Sequence, residues 1–386
     1  MMATGKGRNP MRVGIKDRIA CFQWTWFTMT MATGGVGSVL WSIPFRAEWL
    51  DALGIAVFIF NLCLFVTNSI LLTLRFRFRP GSFTDSFTDQ YESLFVPSFL
   101  VSIATILVNV CQYGVPNTSV WLLRTMEVLF WFYLGASMLT SAGMYLSLWS
   151  TLIFPIHTMT PVWVFPAYPL LLSAPFASSL VASAVQVGRM DVLNGVAIAM
   201  AAVTAQGTGF LISFTICAAF IYRLMTQKLP RDAQRPAMFI SLGPSAFTSA
   251  GLVALGNQAG DILPPDFMGT PHSIVILKLL SVAAGLWLWG LSAWFFLVSA
   301  GSLWKYVRPG ARRSRLPFSV TWFSFVFPNT ALIMATEQLG RALGSRGLQV
   351  FGCCAAGCLV LVWAAVFVVM VRCLWRRELL WPKDDE

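Results

Sequence analysis

Long apolar runs, separated by short polar loops, dominate the pattern along this 386-residue chain. Each of ten runs is long enough for a helix of about 20 residues, the length that crosses the apolar layer of a bilayer. The predicted helices cover 21–42, 53–74, 95–113, 121–149, 161–186, 192–222, 236–258, 274–304, 318–340 and 348–374. The pattern therefore predicts an all-α integral membrane protein with ten transmembrane helices.

Odd-numbered and even-numbered runs differ in proline content and polarity. Prolines that kink a helix fall in the odd runs: Pro166 and Pro169 in the fifth, Pro244 in the seventh and Pro328 in the ninth. The first run is rich in threonine and glycine, whereas the even runs carry no internal proline. A kink within lipid is tolerated where the freed backbone groups find partners or line a cavity. The alternation predicts five helix hairpins around a central pore, with kinked odd helices inside and straight even helices outside.

Small polar side chains recur at helical spacing within the odd runs. Ser98, Ser102 and Asn109 share one face of the third helix, and Ser245 and Thr248 share one face of the seventh. Such a stripe either joins two helices or lines a water-filled path, and its repetition on alternate helices favours the path. The candidate pore-lining residues are Thr30, Thr33, Ser98, Ser102, Asn109, Ser245, Thr248 and Asn329.

The distribution of charge predicts the orientation. Hydrophobic residues make up 57% of the chain and charged residues 11%, against roughly 25% charged in soluble proteins. If the N-terminus is cytoplasmic, 21 of the 27 lysines and arginines fall in cytoplasmic segments. This asymmetry accounts for the net charge of +11 without a nucleic-acid partner. We expect a cytoplasmic tail over 1–20, a transmembrane domain over 21–374 and a second cytoplasmic tail over 375–386.

Groups that could support catalysis or bind a metal are scarce. Both histidines, His157 and His272, fall in loops, and none of the eight cysteines forms a CxxC motif. Glu127 is the single acid placed deep in a run, and we expect it to pair with Arg124 three residues earlier. The sequence therefore indicates neither an enzyme nor a metal or cofactor site.

The remaining charges of the runs indicate the kind of solute. Glu337 and Arg341 are expected near the outer surface, and Lys278 is expected to extend towards the membrane interface. The predicted pore then has no buried carboxylate, which argues against cation conduction. Hydroxyl, amide and freed backbone groups can all donate hydrogen bonds, so the residues favour an anion or a neutral polar solute.

Three stretches resemble a known transporter family. They are FQWTWFTMTMATGG at 22–35, FPAYPLLLSAPFAS at 165–178 and FSVTWFSFVFPNTALIMAT at 318–336. With ten runs and alternating kinks, the chain resembles the tellurite-resistance/dicarboxylate transporter family over roughly 20–375. That family includes the bacterial TehA channel, the slow anion channels of plant guard cells, fungal malate permeases and fungal sulphite efflux pumps. The first stretch is similar to the malate permease branch.

The resemblance implies a fold, a gate and a substrate class. The odd helices would line a pore that a phenylalanine of the ninth helix closes, either Phe327 or its neighbour Phe325. The implied activity is transport of malate and related C4-dicarboxylates across the plasma membrane. A sulphite efflux pump or a small-anion channel is the alternative. The implied partners are the lipid bilayer and further copies of the chain in a dimer or trimer.

Overall fold

The computed structural model describes residues 13–308 and 316–381. The ends of both predicted tails lie outside these ranges. Within them the chain is helical, without a strand, and each of the ten predicted runs overlaps one principal helix. They are α1 Phe27–Ser42, α2 Glu48–Phe78, α3 Ser98–Asn109, α4 Val120–Thr151, α5 Ser173–Val187, α6 Gly195–Gln227, α7 Gly243–Asn257, α8 Ser273–Ser302, α9 Phe327–Ala342 and α10 Arg346–Trp375. Shorter α-helices in the connections are Ile15–Ala20, Ser82–Thr88, Ala259–Ile262 and Trp304–Val307.

Eight helical segments of the described chain are long and apolar enough to cross a membrane. The two principal helices outside this group, α1 and α9, have 16 residues each and carry several threonine, glycine or asparagine residues. The prediction of an all-α membrane protein is confirmed, and eight of its ten predicted spans meet these criteria.

The odd helices form an inner layer and the even helices an outer one. The apolar part of the segment that contains α7 is 94% buried, whereas that of the segment that contains α8 is 11% buried. Each odd helix contacts the next odd helix, and α9 returns to contact α1. Apolar side chains such as Phe132, Trp287 and Leu361 on the even helices are exposed, as expected for a surface that faces lipid. The five inner helices therefore close into a ring.

Most inner segments change helix type part-way along. Tight 3-10 turns over Pro161–Ala167, Asp232–Leu242 and Val320–Phe325 precede α5, α7 and α9. Pro244 and Pro328 lie in the first turn of α7 and α9. Backbone N–H groups in a first turn have no acceptor within the helix, so proline costs no helical hydrogen bond there. Pro166 lies inside a 3-10 segment, and Pro169 lies between two such segments. The prolines thus mark junctions between two helix types.

Polar side chains of the outer helices satisfy backbone groups of the inner helices. Asn68 of α2 donates to the Trp26 carbonyl at the start of α1, with the atoms 3.1 Å apart. Gln206 of α6 accepts the Ala174 N–H in the first turn of α5 at 3.2 Å. Helix termini leave several such groups without an intrahelical partner, and burial makes an unmade hydrogen bond costly. The outer layer therefore stabilises the breaks in the inner one.

A buried ion pair fixes the start of α1. Both terminal nitrogens of Arg75, near the end of α2, donate to the Glu92 carboxylate, and both side chains are buried. The same carboxylate accepts the Trp24 N–H at 3.3 Å. Removing one member of such a pair leaves a buried charge without compensation, at a cost of about 3–5 kcal/mol. One carboxylate thus connects α2, the segment before α3 and the entry to α1.

The predicted pair between Arg124 and Glu127 is wrong, since no ion pair joins them in the described part of the chain. Glu127 instead accepts the Asn194 N–H at 3.4 Å. Asn194 caps the N-terminus of α6, where unpaired N–H groups attract a carboxylate. The spacing within one helix carried no information about this neighbouring helix.

Candidate functional site

A cavity of about 370 Å³ lies between the five inner helices. Every inner helix contributes a polar side chain to its wall: Ser38 of α1, Thr105 of α3, Ser178 of α5, Asn257 of α7 and Gln338 of α9. The volume falls within the range of about 300–1,000 Å³ that is typical of small-molecule sites. The cavity can therefore hold a small polar solute.

An aromatic cluster closes one end of this cavity. The ring centroid of Phe327 lies 5.1 Å from that of Phe247 and 5.9 Å from that of Tyr168. Phe327 is 3% exposed and borders the cavity together with Phe247. Tyr168 is held in place because its hydroxyl donates to the Ile240 carbonyl at 2.7 Å. The three rings form an apolar barrier between helices α5, α7 and α9.

Two further cavities lie beyond this barrier, towards the start of the α9 segment. A small one of about 10 Å³ is bordered by Phe327, Phe165 and Phe323. The other, of about 230 Å³, is lined by residues near the beginnings of the inner segments, among them Thr160, Gln234 and Thr321. Along the α9 segment the three cavities follow in order, and Phe327 separates the large cavity from the small one.

Phe325 points to a different part of the molecule. Its ring lies 5.3 Å from that of Phe239 and borders an apolar groove of about 810 Å³ at α8, α9 and α10. It borders none of the three cavities along α9. Of the two phenylalanines that the resemblance implies as a gate, Phe327 is therefore the one beside the large cavity.

Two cationic side chains line the large cavity, Arg341 of α9 and Lys278 of the outer helix α8. Gly256 of α7 allows the close approach of α8, because a Cβ at that position would lie 1.9 Å from the Ser281 hydroxyl and 3.7 Å from the Lys278 Cα. No ion pair in the described ranges includes either cation. The cavity wall therefore carries two cationic side chains, a feature that the sequence did not reveal.

A profile of the voltage-dependent anion channel family, SLAC1, matches residues 21–371. The chain belongs to this family. A malic acid transport protein of Schizosaccharomyces pombe is 29% identical over 376 residues, which cover 97% of this chain and 83% of the yeast protein. A second protein of that yeast, provisionally named a malic acid transport protein, is 31% identical over 97% of this chain and 85% of its own length. The SSU1 sulfite efflux pump of Trichophyton rubrum is 22% identical over 92% of this chain and 91% of the pump. The resemblance seen in the sequence is confirmed.

Glu337 of this SLAC1-family protein lies one turn before Arg341 near the end of α9 and does not line the large cavity. Its side chain is fully buried and accepts a hydrogen bond from the Ser42 hydroxyl of α1. Arg341 donates to the Ser42 backbone carbonyl, so Ser42 lies between the acid and the base. Gly352 of α10 makes room for the acid, because a Cβ there would lie 2.7 Å from the Glu337 Cγ. A buried carboxylate therefore lies behind the cavity wall.

The eight polar residues that the sequence offered for the pore are all described, and none borders the large cavity. Their hydrogen bonds run between helices or within a helix. Thr30 of α1 and Ser102 of α3 bond to each other at 2.7 Å. Ser292 of α8 donates to Ser245 of α7 at 2.8 Å. These contacts favour the packing interpretation of the stripes.

The remaining members follow the same pattern. Thr33 accepts the Trp363 indole N–H of α10 at 3.2 Å, and Thr248 accepts the Gln206 amide of α6 at 2.9 Å. Asn329 donates to the carbonyl of Phe325 at 2.9 Å, and Ser98 donates to that of Trp24 at 3.0 Å. Asn109 contacts the cavity wall, since it donates at 2.8 Å to Ser38, which lines the cavity.

Side-chain amides supply much of the polar wall that sequence reasoning missed. Gln112, Asn257, Gln258 and Gln338 all line the cavity. They occupy the ends of inner helices, or the turn directly after them, and the search for stripes inside the runs passed over these positions. Gln258 donates to the Ser178 carbonyl at 2.9 Å, and its own amide oxygen is buried with no hydrogen-bond partner among the described residues. A search for amides at the ends of odd runs would have found this set.

Proposed function

We propose that this SLAC1-family protein is a plasma-membrane transporter for malate and related C4-dicarboxylates. The observation that carries the proposal is the series of cavities along α9, in which the Phe327 ring lies between the cavity of about 370 Å³ and the one of about 10 Å³. The S. pombe relatives, named for malic acid transport, support the substrate class. The solute passes through the ring of inner helices without covalent chemistry.

The proposal includes ten membrane crossings with both termini in the cytoplasm. Helices α1 and α9 complete the inner ring, and their polarity fits positions that are shielded from lipid by α2 and α10. The excess of lysine and arginine on one side supports the orientation. Family resemblance extends the proposal to a homo-oligomer, a dimer or trimer, with one pathway in each subunit.

Phe327 is the proposed gate, and the pathway conducts when its ring leaves the cluster. A constriction made of apolar rings excludes water and therefore excludes ions. Rotation of this side chain joins the large cavity to the small one on its other side. The hydroxyl stripes hold the inner helices in place around this moving part.

Transport into vesicles tests the proposal. The purified full-length protein is reconstituted in liposomes, and uptake of radiolabelled malate is compared with uptake of labelled sulphite. We expect saturable malate uptake that unlabelled succinate inhibits. Sulphite flux without malate flux would instead support the efflux-pump alternative, for which the T. rubrum relative is the precedent. Absence of both fluxes in correctly folded protein would refute an anion transporter of either kind.

A further inference from the structure

We propose that Lys278 and Arg341 form a two-point binding site that selects anions with two carboxylates over anions with one. This inference deepens the proposed function and rests on it. It assigns the charge selectivity to two side chains that lie on different helices and line the same cavity. The ligand class is a short dianion whose carboxylates stand at opposite ends of a C4 chain.

The positive charge of these two side chains is available to a ligand. In the described part of the chain, neither takes part in an ion pair. The acid nearest to Arg341 along α9, Glu337, bonds to the Ser42 hydroxyl, and the guanidinium bonds to the Ser42 backbone carbonyl. A guanidinium has five N–H donors, so this contact leaves most of them free for a carboxylate.

The packing of the helices brings each cation to the cavity wall. The contact of Arg341 with Ser42 joins the end of α9 to the end of α1 and fixes the guanidinium at the cavity wall. Lys278 enters from the outer layer because Gly256 lets α8 approach α7 closely. The amide of Asn257, which donates to Gln338 at 3.3 Å, adds uncharged polar groups to the same wall. The site is therefore assembled from α1, α7, α8 and α9.

Two cations also offset the main energetic cost of dicarboxylate transport, which is the removal of the charges from water. Removing two carboxylates from water is costly unless each meets a compensating charge. A dianion can use Lys278 and Arg341 together, whereas a monoanion leaves one of them without a partner. Loss of one charge-assisted contact weakens binding by about ten- to a hundredfold, so we expect discrimination of that order.

A matched pair of ligands isolates the second charge. Succinate and its monoamide, succinamate, have the same chain length. Succinate carries two carboxylates, whereas succinamate carries one. Inhibition of malate uptake by each is measured in proteoliposomes that contain wild-type protein, Lys278→Gln, Arg341→Gln, Lys278→Arg or Arg341→Lys. Arg346→Gln is the control, since Arg346 is an exposed cation five residues after Arg341 and does not line the cavity.

In wild-type protein we expect succinate to inhibit about ten- to a hundredfold more strongly than succinamate. Each glutamine variant should lose most of this ratio, the charge-conserving variants should regain part of it, and Arg346→Gln should keep it. Inhibition by succinamate that is unchanged in the glutamine variants shows that the protein is folded. Glutamine variants that keep the full ratio would refute the binding site while leaving malate transport intact. A wild-type protein without malate uptake would refute the proposed function itself.

Discussion

Replacing Phe327 with alanine should open the barrier between the two halves of the pathway. The wild-type ring is almost completely buried and lies between the cavity of about 370 Å³ and the one of about 10 Å³. Alanine removes the ring and leaves the backbone of α9 in place. We expect a higher rate of malate flux, because the anion no longer has to wait for the ring to move.

The size of the increase follows from the contacts that hold the ring in place. Phe327 forms two aromatic pairs, one with Phe247 and one with Tyr168. Such pairs contribute about 0.5–1.5 kcal/mol each beyond their burial, so the closed position is favoured by about 1–3 kcal/mol. That range corresponds to about 5–150-fold in the population of the open state. Truncation of a buried phenylalanine also costs about 3–5 kcal/mol of stability, so folding is checked by gel filtration and thermal melting.

The assay is malate flux per folded protein in proteoliposomes, with Phe325→Ala as the control. Phe325 lies two residues away and has its own aromatic contact with Phe239, but it faces the groove at α8, α9 and α10. Its truncation should leave the flux within twofold of wild type. The gate assignment is refuted if folded Phe327→Ala carries no more malate than wild type. It is also refuted if Phe325→Ala raises the flux equally.

Four further substitutions test the contacts that support the ring of inner helices. Glu92→Gln leaves the Arg75 charge buried, so the detergent-solubilised protein should lose about 3–5 kcal/mol and melt at a lower temperature. An unchanged melting temperature would contradict that role. Gln206→Leu removes the partner of a backbone N–H of α5, and thermal melting should show a loss of about 1–3 kcal/mol in the free energy of unfolding. A melting temperature equal to that of wild type would contradict this role of Gln206. Ser245→Ala and Ser292→Ala delete the same hydrogen bond and should lower stability equally, while a transport defect confined to Ser245→Ala would restore it to the pathway.

The sequence predicted the helices and their layers well because both leave local signals. Apolar length places each helix, and the proline-containing runs are the buried ones. Pro244 and Pro328 also indicated where the inner segments change, although the structure puts them at the first turn of an α-helix rather than at a kink inside one. Features that depend only on the residues of one run could therefore be predicted.

The candidate site was predicted less well because it depends on which helix faces which. A serine stripe has the same spacing whether it meets a cavity or another helix, so Ser245 could not be distinguished from a lining residue. Lys278 lies on an outer helix and reaches the cavity wall through a close approach at Gly256, which a residue pattern cannot show. Phe327 was found by resemblance, and its surroundings distinguish it from Phe325.

Contact between the first and last inner helices has a consequence for biosynthesis. The Thr28 hydroxyl of α1 donates to the Val320 carbonyl just before α9, and Gly35 of α1 leaves space for Thr330 of α9. Nearly 300 residues of the chain lie between the two partners of this contact, Thr28 and Val320. A ribosome therefore adds nearly 300 residues after Thr28 before this contact can form, and until then the polar edge of α1 has no partner from α9. Chains truncated before α9 would keep that edge uncovered, which makes them natural substrates for membrane quality control.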